Sequence, residues 1–171
     1  MSEKIVLFTD QCLRDGAQSL WSMFSTYGVH EAVAEHLDNA GYHYIELPVN
    51  AVNFKMTVRF FKENPWKSAR LFKEKITKTK KQLSIMDCLD LLGGPEPRSV
   101  IRMFAQMTAR TTGAHRYKYM ANTRNELDRH YPWVVPIARD LCLEFAPCIC
   151  YYPSPRTTDD YYAELTKRLI A

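Results

Sequence analysis

A cation, a carboxylate and an amide sit together in the run Leu13-Arg14-Asp15-Gly16-Ala17-Gln18-Ser19. Asp15 is a hard oxygen donor of the kind a divalent metal takes. Arg14 and Gln18 can grip a carboxylate and a carbonyl through charge-assisted and amide hydrogen bonds. The same residues also suit a plain surface loop in which Arg14 pairs with Asp15, a contact worth little. Residue types alone leave both readings open. The run follows directly on Ile5, Val6, Leu7 and Phe8, which read as a short first strand. If the fold is an α/β barrel, the ends of such strands form the active-site mouth.

Two other clusters carry less. Cys148-x-Cys150 on a strand would turn both thiols to one face, but with no second Cys or His pair it makes a poor zinc site. Lys67, Arg70, Lys73, Lys75, Lys78, Lys80 and Lys81 crowd one stretch that alternates with Phe60, Phe61, Leu71, Phe72 and Ile76. That spacing reads as the solvated side of an amphipathic helix rather than a phosphate track, so no nucleic-acid partner is expected.

The elements that must position these groups alternate strictly. Strand-like runs cover residues 5–8, 42–47, 82–89, 115–120 and 143–151. Helix-like runs cover 28–40, stopped by Gly41; 55–75, broken at Asn64-Pro65; and 98–111, closed by Gly113. The last two are 125–141, interrupted by Pro132 and Pro136, and 157–170, opened by Thr157-Thr158-Asp159-Asp160 as an N-cap. With no low-complexity linker, residues 1–171 read as a single domain. Five β/α units imply a parallel sheet flanked by helices, either doubly wound and open or part of a barrel. The turn after the first strand offers charges and an amide where a nucleotide binder would need glycines.

Leu13-Arg14-Asp15-Gly16-Ala17-Gln18-Ser19 resembles the signature that opens the carboxyltransferase domain of biotin-dependent enzymes, which include pyruvate carboxylase, the oxaloacetate decarboxylase α subunit and the transcarboxylase central subunit. The wider barrel superfamily, with HMG-CoA lyase, shares its Asp-Gly form. Gly41-Tyr42-His43-Tyr44-Ile45-Glu46 resembles the second strand of the carboxyltransferase branch. Arg59-Phe60 with Glu63-Asn64-Pro65-Trp66 through Arg70-Leu71-Phe72 resembles its following helix, and Leu91-Leu92-Gly93 the run after its third strand. Cys148-Ile149-Cys150-Tyr151-Tyr152 with Asp160-Tyr161-Tyr162 is similar to its fifth strand and helix. The likeness runs collinearly along nearly the whole chain.

That resemblance implies an α/β fold comprising the first five β/α units of a (β/α)₈ TIM-type barrel, incomplete in this chain; a whole barrel needs roughly 250 residues. It implies Asp15 as a metal ligand, with Arg14 and Gln18 contacting a 2-oxo acid. It further implies a divalent metal (Zn, Mn or Co) stabilising an enolate, and carboxybiotin carried on another domain or subunit. A biotin carrier domain, and a protein partner or self-association completing the barrel, follow as expected partners. The departures are Ala17 in place of a histidine, Leu47-Pro48-Val49-Asn50 in place of Trp-Gly-Gly, Asp87 in place of an arginine, and Ala121 in place of an acid. The carbamylated lysine of strand six and the His-x-His pair of strand seven have no counterpart here. These departures keep two alternatives in view: a catalytically degenerate segment serving as scaffold or regulator of a carboxylase, and a Claisen-type acyl-CoA enzyme of the same superfamily.

Composition bounds the rest. Five cysteines in apolar surroundings read as buried, reduced thiols. The formal charge is +4, and no apolar stretch approaches the ~20 residues needed to span a bilayer. A cytoplasmic protein is the expectation. An open five-stranded sheet would also leave two strand edges and apolar inward-facing side chains uncovered, which predicts association.

Overall fold

The computed structural model describes residues 5–84 and 97–170. Its elements, in order, are β1 (Thr9–Asp10), a π-helical turn (Cys12–Gly16) running into α1 (Ala17–Trp21), α2 (Tyr27–Asp38), β2 (Tyr44–Glu46), α3 (Ala51–Met56), a second π-helical turn (Thr57–Phe61) and α4 (Pro65–Lys75). Then follow β3 (Lys80–Ser84), α5 (Arg98–Thr112), β4 (Arg116–Met120), α6 (Arg124–Asp140), β5 (Glu144–Cys148) and α7 (Asp159–Ile170). All strand pairings are parallel, and the sheet order is β1-β2-β3-β4-β5. Sequential strands lie side by side, as in a barrel wall, where a doubly wound sheet would reverse direction partway.

Local chemistry sets most boundaries. Gly113 stops α5 in a left-handed conformation (φ +65°), and Gly41 after α2 has φ +83°. Asn64 caps α4 by accepting from the Trp66 N–H, with Pro65 at the first helical position. Thr123 and Glu126 form a reciprocal capping box on α6. The core lies between the helices and one face of the sheet. Ile45, Leu83, Tyr117 and Tyr119 point into it and meet Phe72, Ile101, Val134 and Leu165.

Several expectations need correction. Ile5, Val6, Leu7 and Phe8 are not the first strand; all four are exposed, and pairing with β2 begins only where the His43 N–H donates to the Phe8 carbonyl. Pro132 and Pro136 do not interrupt α6, which runs unbroken through both. Four residues apart, they share a solvent-exposed side, where a missing N–H costs least and the helix can open towards water. The helix expected over 55–75 begins earlier, as α3, and gives way to a π-helical turn before α4. The third strand starts at Lys80, while the stretch 85–89 expected to continue it lies outside the described residues, as do Cys88, Asp87 and Leu91-Leu92-Gly93. Cys12, Cys142 and Cys150 are exposed and Cys148 half-buried, so these four thiols are not core residues. Most of the basic run is solvated as expected, but Lys81 is buried, its ammonium donating to the Ile76 carbonyl at 2.7 Å. Finally, the sheet face turned away from the helices is polar and charged rather than apolar.

Candidate functional site

That polar face follows from the two-residue period of the strands. Ile45 and Leu83 face the helices, so Tyr44, Glu46, Gln82 and Ser84 face the other way, joined on β4 by Arg116 and Lys118. Glu46 is fully buried and lies at the centre. Its carboxylate accepts from Gln82 Nε2 at 2.7 Å, from Lys118 Nζ at 2.6 Å and from the Ser84 hydroxyl. Burial alone would raise its pKa. Arg14 and Lys118 outweigh that penalty and, with the hydrogen bonds from Lys118 and Ser84, hold the carboxyl below its ordinary value.

Arg14 reaches the same carboxylate from the loop after β1. Its Nε lies 2.7 Å from Glu46 Oε1, an ion pair whose N–H points off the line to the oxygen, leaving that nitrogen without an aligned hydrogen bond. The other end of the guanidinium contacts Asp15 Oδ1 (3.1 Å), Gln18 Oε1 (3.4 Å) and Gln11 Oε1 (2.9 Å). The structure therefore brings Arg14, Asp15 and Gln18 together at the strand ends. The tight π-helical turn does this, with three successive N–H groups from Arg14 to Gly16 converging on the Gln11 carbonyl. Arg14 is anchored from behind by Glu46. The Asp15 and Gln18 contacts are the ones an incoming carboxylate could replace.

A second layer closes the floor. The Arg116 guanidinium lies 3.6 Å over the Tyr44 ring and donates from Nε to Gln82 Oε1 at 2.6 Å. Tyr44 in turn donates to Glu144 Oε2 at 2.6 Å, and Lys80 reaches the other oxygen of Glu144.

The implied divalent metal does not fit the described residues by themselves. Asp15 has a side chain 53% exposed and turned to Arg14. Among the described residues no three His, Cys, Asp or Glu side chains gather as a ligand set. His30 is held between Ser25 and Ser68, His115 receives the Lys81 N–H, and His130 pairs with the Tyr119 hydroxyl.

Glu46, Gln82 and Lys118 were not singled out from sequence. Their signal is the alternation of polar with apolar residues in Tyr44-Ile45-Glu46, in Gln82-Leu83-Ser84 and in Arg116-Tyr117-Lys118. Apolar partners at those positions face helices, so the polar ones must line the opposite side.

A parallel wall of five β/α units with a charged face and an Arg-Asp-Gln loop at the strand ends has the fold of part of an α/β barrel. Solved relatives of that fold are the carboxyl transferase domain of Rhizobium etli pyruvate carboxylase with pyruvate and biocytin (TM-score 0.83, 22% identity) and the same domain with oxamate and biotin (TM-score 0.84, 22% identity). Each match covers 99% of this chain and 29% of the other. The chain is 27% identical over 166 residues to a pyruvate carboxylase subunit from Methanocaldococcus jannaschii, and 24% identical over 169 residues to its namesake from Methanothermobacter thermautotrophicus. These alignments cover 96% and 98% of this chain but only 28% and 29% of the relatives' length. No protein-family profile matches. Among the described residues no helix is long and apolar enough to cross a membrane.

Proposed function

We propose that this chain supplies the N-terminal wall and the substrate-gripping loop of a biotin-dependent carboxyltransferase acting on a 2-oxo acid. The supporting observation is the anchoring of Arg14 by Glu46, which aims a preorganised cation at the strand ends beside the Gln18 amide. In this role the Arg14 guanidinium exchanges its contact to Asp15 for the substrate carboxylate, and Gln18 turns its amide N–H₂ to the keto oxygen. Lys118, on the same face, adds positive potential that favours an anionic substrate. Carboxybiotin and its carrier domain lie outside the described residues in this proposal, as do the strands that would pair with the outer edges of β1 and β5. Asp15 remains the residue proposed to contribute to a metal site completed outside the described residues.

A second reading is favoured by Ala17, Asp87 and Ala121, which stand where the resemblance puts a histidine, an arginine and an acid. It holds that the chain is a degenerate wall kept as scaffold or regulator of a carboxylase. Saturation-transfer NMR with pyruvate, oxamate and acetate separates the two. The carboxyltransferase reading expects saturable binding of pyruvate and oxamate, weak binding of acetate, and loss of both in Arg14→Lys, whose ammonium cannot reproduce a planar two-pronged contact. Binding of none of the three would hand the case to the scaffold reading.

A further inference from the structure

Strand alternation that turns Lys118 to the inner face does the same for Met120 two residues on, and Met120 is the register partner of Cys148 on β5. Cys150, two residues beyond Cys148, follows it onto that face. Its sulfur lies against the Met120 thioether. The backbone around these sulfurs is pinned on both sides. The Ala121 N–H donates to the Cys148 carbonyl at 3.1 Å, and the Cys150 N–H donates to Asn122 Oδ1 at 3.0 Å. A thioether and a thiol are therefore in contact at the ends of adjacent strands, Cys148 shares their face by strand register, and Cys150 is exposed.

We propose that Met120, Cys148 and Cys150 form a binding site for a soft monovalent metal ion of the Cu(I) class. Thiolate and thioether donors select soft ions, and an all-sulfur set without His or carboxylate neither suits a hard dication nor completes a tetrahedral zinc site. The reaction balances simply: the ion displaces one proton from each thiol, forms two metal–thiolate bonds, and takes the neutral Met120 sulfur as a third donor, with no change of oxidation state. The resulting bis-thiolate site carries one negative charge. Burial, and then Cys148, hold the Cys150 thiol above its ordinary value, with Lys118 and Arg14 opposing them, so the ion has to displace a proton that the thiol retains at neutral pH. This inference does not depend on the proposed carboxyl transfer.

The test is an anaerobic titration of the fully reduced chain with Cu(I) in competition with bicinchoninate, with stoichiometry read by native mass spectrometry. The wild type should hold one ion per chain. Replacing the other thiols together (Cys12→Ser, Cys88→Ser, Cys142→Ser) should leave that ion in place, whereas Cys148→Ser with Cys150→Ser should abolish retention. Met120→Leu, similar in volume and lacking only the donor, should weaken it on the order of tenfold. Far-UV circular dichroism confirms that each variant is folded. Absence of competitive binding in the wild type, or retention by the Cys148/Cys150 double variant with loss in the triple, overturns the assignment.

Discussion

His30 should make the chain lose stability as the pH falls from 7 to 4. The imidazole sits in the interface between α2 and α4, only 5% exposed, between the Ser68 and Ser25 hydroxyls at 3.0 and 2.9 Å and against the Phe72 ring. Burial lowers its pKa from 6.5 to about 4. The unfolded chain takes a proton on this residue as the pH drops through 6.5, while the folded chain keeps it neutral to about 4. Protonation therefore favours the unfolded state across that window, and the loss levels off below the folded value. At 1.36 kcal/mol per pH unit the difference amounts to about 3 kcal/mol, an upper figure because both serine hydroxyls can rotate to accept from a charged ring. The assay is urea unfolding at pH 7 and pH 4 for the wild type and His30→Gln. Carboxylates titrate in both proteins and cancel in the comparison, so the advantage of the wild type should shrink by up to about 3 kcal/mol. A proton NMR titration of the His30 ring should place its midpoint near 4. Parallel stability curves, or a midpoint near the ordinary histidine value, would refute the reasoning.

Glu46→Gln should cost about 3 kcal/mol in urea unfolding at neutral pH, since it leaves Arg14 and Lys118 mostly buried without their shared anion. The Glu46 contribution is present above the unfolded carboxyl pKa and vanishes as pH falls through the lower folded one, so the deficit should shrink in acid; a deficit below about 1 kcal/mol at neutral pH would contradict the picture. Gly113→Ala should lower thermal stability by about 1 kcal/mol through backbone strain alone. The added methyl would meet Lys73 and Lys81 side chains at ordinary contact distances, so an unchanged melting temperature would argue against the left-handed turn.

What the sequence made legible was largely what local chemistry decides. Gly41 and Gly113 mark helix ends because few other residues tolerate positive φ, and Asn64-Pro65 opens a helix because each fits its own position there. Ile5 to Phe8 misled because apolar character states only a preference for burial, and burial needs a neighbour that a sequence does not reveal. Pro132 and Pro136 misled in the opposite sense, since their cost depends on which side of α6 meets water. Arg14, Asp15 and Gln18 could be named from type and spacing, and the structure does gather them. Glu46 could not be placed, because its significance lies in donors 32 residues before it and 36, 38 and 72 residues after it, which only strand pairing assembles.

Those same donors give Glu46 a part in folding that its chemistry does not suggest. β2 is three residues long, too short for its ladder bonds alone to fix its alignment with β3. A slip of β3 by one residue would turn Gln82 and Ser84 towards the helices, bring the apolar Leu83 to the carboxylate's side and pull Lys81 from its bond to the Ile76 carbonyl. A slip of β4 would exchange Lys118 for the apolar-facing Tyr117 or Tyr119 and turn the Lys118 ammonium towards the core, away from its Glu46 counterion. Glu46 thus acts as a key that admits one alignment of three parallel strands and rejects its neighbours.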